Sequence, residues 1–88
     1  MEIEDIKTIL KTKDKKLLKY LLSLVILDKR ERSIIKKRYF EGLNVNIICD
    51  DLNLSLRNYY RVMSLIYKKL LSVWKNDNKA KEYIKSTE

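Results

Sequence analysis

Apolar residues recur along this chain at spacings of three and four, the period of one face of an α-helix. Ile3, Ile6, Ile9 and Leu10 form the first such set and predict a helix over roughly residues 2–12. The polar run Lys11-Thr12-Lys13-Asp14-Lys15-Lys16 interrupts it, with Asp14 as a candidate cap. Leu17, Leu18, Leu21, Leu22, Leu24, Val25 and Leu27 then describe a second helix, apolar over more than half its circumference. Such a helix sits centrally in a bundle or faces a partner, and both readings stay open.

Asp28, with Glu31 three residues on, is a capping-box variant, and Leu27 and Arg32 hold the staple positions. A third helix is therefore expected from Asp28, burying Ile34, Ile35, the stem of Arg38, Tyr39 and Phe40. Gly42, the only glycine, lies where that helix should end and a positive φ is needed. Asn44 is placed to cap a short fourth helix to about Leu52, with Val45, Ile48 and Leu52 inward. Asn53 suits a left-handed turn and Ser55 an N-cap. Tyr59, Val62, Ile66, Leu70 and Val73 share one face of a fifth helix reaching Trp74 or slightly beyond. Residues 76–88 carry a weak apolar set, Ala80, Tyr83 and Ile84, and form a short helix or fray.

The chain has 88 residues, no proline and one glycine, so sheets and hairpins find little turn chemistry. The expected fold is all-α: a compact bundle of about five helices containing a helix-turn-helix, with no β-sheet. The expected organisation is 1–27 for support or dimerisation, 28–75 as a helix-turn-helix domain, and 76–88 as a tail or short helix.

The formal charge of +8 favours a polyanionic partner, although lysines that merely solubilise the surface are the plain alternative. The Lys-rich first half lacks the clean basic/apolar division of a membrane-surface helix, and Leu17–Leu27 is too short to span a bilayer. No membrane partner is expected. The start, MEIEDIKTIL, is acidic and amphipathic and does not read as a signal peptide. One cysteine and no histidine leave neither a disulfide within the chain nor a zinc site, which fits a reducing cytoplasm. Cys49 reads as a small buried hydrophobe rather than a redox sensor. With no histidine, no glycine-rich phosphate loop and no acidic cluster beyond Asp50-Asp51, an enzyme is not expected, nor a cofactor.

Residues 55–75 contain Arg57, Arg61, Lys68, Lys69 and Lys75 and no acid at all. With Tyr59, Val62 and Ile66 inward, Arg57, Asn58, Tyr60, Arg61 and Ser64 face outward near the helix start. Recognition helices read base edges with residues in such places. Arg suits guanine O6 and N7, Asn suits adenine N6 and N7, and Tyr60 suits a phosphate or a thymine methyl. Ser55, Lys68 and Lys69 are candidate phosphate contacts, as are Lys36, Lys37 and Arg38 on the third helix. A solvated helix face is the competing reading for the first group. For the second it is solvation, or pairing of Arg38 with Glu41 or Asp50.

The stretch Arg30-Glu31-Arg32-Ser33-Ile34-Ile35-Lys36-Lys37-Arg38-Tyr39-Phe40-Glu41-Gly42-Leu43 resembles the opening of region 4 of bacterial sigma factors. Ile48-Cys49-Asp50-Asp51-Leu52-Asn53-Leu54-Ser55 resembles its helix-turn-helix, and Tyr67-Lys68-Lys69-Leu70 its closing signature. The resemblance covers about Leu27 to Leu71. It implies a helical domain reading promoter DNA in the major groove, with base-contacting positions on Leu56, Arg57, Tyr60 and Arg61. Leu56 departs from the family's polar residue, Asn53 from its glycine and Cys49 from its alanine. A stand-alone sigma factor also needs a promoter-melting domain, for which 88 residues leave no room. The closer resemblance is to small sigma-like regulators of phages and mobile elements, such as the ArpU type.

The resulting expectation is a transcriptional regulator that binds double-stranded DNA, dimeric if the Leu17–Leu27 helix forms the contact. Two alternatives remain. One is a module that binds RNA polymerase or a sigma factor without reading DNA. The other is the DNA-recognition subunit of a phage packaging or recombination machine.

Overall fold

The structure is a computed structural model that describes residues 1–87, and among them all regular structure is helical. The helices are α1 (Ile3–Leu10), α2 (Lys15–Ser23), α3 (Lys29–Ile35), α4 (Val45–Leu52), α5 (Leu56–Trp74) and α6 (Asn78–Thr87). A π-helical turn, Lys36–Phe40, continues α3. The all-α expectation holds, with one helix more than the five expected. The extra one is α6, where the sequence left a tail or a short helix. Asp77 caps it, its Oδ2 accepting from the Ala80 N–H at 3.0 Å, and Ala80 is fully buried. Among the described residues, no helix is long and apolar enough to cross a membrane.

Local capping chemistry sets most boundaries. The Asp14 carboxylate accepts from the Leu17 N–H at 3.0 Å and opens α2. Asp28 and Glu31 form the reciprocal box that opens α3, at 2.8 and 2.9 Å. Glu31 is thereby buried with its carboxylate satisfied. Asn44 opens α4 by accepting from the Ile47 N–H at 3.0 Å.

The second helix is shorter than its apolar run. A helix to Leu27 was expected, but α2 stops at Ser23. Beyond it, Leu24 and Val25 make only tightened bonds to Leu21 and Leu22, at 3.3 and 3.2 Å. The Trp74 indole Nε1–H donates to the Leu21 carbonyl at 2.8 Å, at the point where the helix would otherwise run on. Asp28 also needs extended backbone (ψ 174°) to cap α3, so the chain must leave helical geometry before it. As a result Ile26 is 93% exposed, and Tyr20 and Leu24 are partly so.

Backbone contacts divide the chain into two units. The first comprises Met1–Ile26 and the chain from Tyr67 onward. Its buried apolar side chains are Ile6, Ile9, Leu10, Leu18, Leu21, Leu70, Trp74 and Ala80. Within it Lys79 lies over the Tyr20 ring at 4.6 Å, and Lys7 over Tyr67 at 5.5 Å. The second unit is Leu27–Ile66, with Leu27, Ile34, Ile35, Ile48, Cys49, Tyr59, Met63 and Ile66 buried. A boundary therefore falls inside α5. Residues 67–75, read from the sequence as part of the helix-turn-helix domain, group instead with the first two helices.

Candidate nucleic-acid interface

The site is built on α4, the turn after it, and the first half of α5. Asn53 ends α4 in the left-handed region, φ 55° and ψ 46°. The Leu54 N–H then reaches back to the Cys49 carbonyl at 2.8 Å, closing the turn. Ser55 starts the next helix. Its Oγ accepts from the Asn58 N–H at 3.1 Å, and its carbonyl accepts from the Tyr59 N–H at 2.9 Å. Two helices thus follow one another across residues 53–55. Cys49 is 7% exposed, in the core as expected.

The buried stripe of α5 is Tyr59, Met63, Ile66, Leu70 and Trp74. The spacing pointed instead to Tyr59, Val62, Ile66, Leu70 and Val73. Val62 and Val73 are only half-buried and flank the stripe. The reason is volume: at either end of the alternatives the larger side chain, Met63 or Trp74, takes the inside place. The helix is therefore rotated by a fraction of a turn from the expected setting.

Arg57, Asn58, Tyr60, Arg61 and Ser64 are all exposed, as is Ser55. At about 100° per residue, Arg57 and Arg61 lie within about 40° of each other, opposite the buried stripe. Leu56 and Tyr60 form a parallel row beside them, 50% and 56% exposed. Ser64 falls between the two rows. Asn58 falls on the far side of the arginines, next to Leu65, which is 51% exposed. The Tyr60 ring stands edge-on to Tyr59, with centroids 5.2 Å apart at 81°. Lys68 and Lys69 lie further along α5 and are exposed.

The basic group on the π turn is mostly engaged within the protein. Lys37 Nζ lies 3.4 Å from Asp51 Oδ2. Arg38 donates through Nη1 to the Leu43 carbonyl at 3.2 Å, rather than to Glu41 or Asp50. That bond secures the chain reversal at Gly42, where φ is +72° and the Leu43 N–H reaches the Lys37 carbonyl at 3.0 Å. Lys36 is exposed. The sequence held no signal for the π turn and did not single out Lys37 as the basic partner of Asp51. It also assigned no role to Leu65 or to Ile47, which is 42% exposed on α4.

Among the described residues, no group of three or more His, Cys, Asp or Glu side chains is placed to hold a metal ion. Comparison with known proteins gives no match to any family model, curated protein or solved structure.

Proposed function

We propose that this chain is a sequence-specific DNA-binding regulator of transcription that lays the first half of α5 in the major groove. The supporting observation is the charge pattern of that helix. Arg57 and Arg61 are exposed opposite the buried stripe, and residues 55–75 hold no acid. A duplex carries a negative charge on every phosphate, so an acid-free cationic face approaches it without repulsion. Arg57 and Arg61 then reach guanine O6 and N7, with Tyr60 and Ser64 as flanking contacts, while Asn58 lies on the far side of the arginines. Ser55, Lys36, Lys68 and Lys69 contact phosphates. Lys37 and Arg38 join this set while holding partners within the protein, Asp51 and the Leu43 carbonyl.

The resemblance of residues 30–43 and 48–55 to sigma factor region 4 supports the same reading. It favours a phage or mobile-element regulator of the ArpU type. Leu24 and Ile26 leave apolar surface just beyond α2, which supports a dimer. Two copies would read half-sites about one helical turn apart, roughly 34 Å. Selection from a random duplex library at stated salt is the test. An enriched motif is expected, and recovery of unenriched sequence would reduce the reading to general attraction of a basic protein.

One observation favours a second reading. Ile47 on α4 and Leu65 on α5 are exposed large apolar residues with no part in base recognition. They suit a protein surface, and so a module that binds RNA polymerase or a sigma factor. Capture of polymerase subunits without any shift of duplex DNA would select it.

A further inference from the structure

Leu56 is an unusual occupant for the first position of a groove-facing helix. It is half exposed, carries no hydrogen-bonding group, and stands one turn before Tyr60, itself more than half exposed. Residues four apart on a helix are surface neighbours, so the two make one continuous apolar strip. The strip borders the Arg57–Arg61 row, and the five residues Leu56, Tyr60, Ser64, Arg57 and Arg61 occupy one arc of about 140°. A helix seated in a groove presents an arc of that size to the bases. Asn58 lies outside it.

An apolar strip beside two guanidinium groups, on a face without acids, matches one chemistry on a duplex. In the major groove the only apolar group on a base edge is the C5 methyl of thymine. We propose that Leu56 and Tyr60 read thymine methyl groups adjacent to the guanines that Arg57 and Arg61 contact. This inference rests on the DNA-reading function and adds the base class that the strip selects. Leu56 is then a specificity residue acting by shape and desolvation, in place of a polar residue that would hydrogen-bond.

The test uses the full chain and the duplex enriched by library selection. Each thymine is replaced singly by deoxyuridine, which pairs identically but lacks the methyl. At one or two positions wild-type affinity should fall about three- to fivefold, the expected effect of losing one buried methyl. Leu56→Ala or Tyr60→Ala should then bind the thymine and uracil duplexes equally well at that position, while Tyr60→Phe keeps the difference. Both residues are exposed, and helical circular dichroism checks that each variant is folded. Three results would overturn the proposal. The selected motif could lack thymine, the uracil scan could leave affinity unchanged throughout, or the loss could persist undiminished in both alanine variants. Failure to enrich any motif is a different outcome, because it removes the DNA-reading function itself.

Discussion

Lys37 Nζ stands 3.4 Å from Asp51 Oδ2, linking the π turn after α3 to the end of α4. The pair is partly exposed, so it adds at most about 1 kcal/mol to stability. Its larger effect is on charge. Asp51 is one of two adjacent carboxylates just before the turn into α5, where a bare anion would repel phosphate. Lys37 offsets that anion, and its own charge is in turn offset by Asp51.

Replacing Asp51 by Asn should release Lys37 and remove one negative charge. Duplex affinity should rise and its salt dependence steepen, by up to about one unit of the log–log slope. Titration by fluorescence anisotropy over a range of salt measures both. Equal affinity and slope would mean that this side of the protein stays away from phosphates.

Trp74 should be the most sensitive position in the first unit. It is fully buried and its indole donates to the Leu21 carbonyl at 2.8 Å. Trp74→Phe loses that bond and some volume, and should cost about 1–3 kcal/mol. Urea unfolding of the variant checks this. An unchanged midpoint would show that the indole bond adds nothing to the stability of the fold.

The two positive-φ positions in the second unit should respond differently from ordinary surface sites. Asn53→Ala forces a Cβ-bearing residue without a compensating amide into the left-handed region and should cost about 1 kcal/mol. At Gly42 a Cβ meets nothing within 4 Å, so Gly42→Ala should cost only the backbone term, again about 1 kcal/mol. Gly42→Asn should cost less than Gly42→Ala. Thermal melts of the three variants give the comparison, and a stabilised Gly42→Ala would contradict the assigned geometry.

Much of this fold is written in short-range chemistry. Asp14, Asp28 with Glu31, Asn44 and Ser55 cap helices as their neighbours in sequence suggest, because a cap bonds to amides two or three residues away. Gly42 and Asn53 end helices for an equally local reason, their tolerance of positive φ. What the sequence concealed depends on distant partners. At the end of α2 the Leu21 carbonyl accepts from Trp74, 53 residues away in sequence. The choice of Met63 and Trp74 over Val62 and Val73 is made by which side chains fill the interior. Arg38 looked free to meet an acid, but the π turn brings it to the Leu43 carbonyl. The outward residues of α5 were readable despite the rotation, since Arg57 and Arg61 sit far from either version of the buried stripe.

If Arg57 and Arg61 read bases, the affinities of Arg57→Ala and Arg61→Ala for the selected duplex and for a scrambled one will separate. Each variant should weaken specific binding by roughly 5- to 150-fold, the equivalent of 1–3 kcal/mol per bidentate contact, while binding to the scrambled duplex falls far less. Equal losses on both duplexes, or none on either, would mean that neither arginine reads a base.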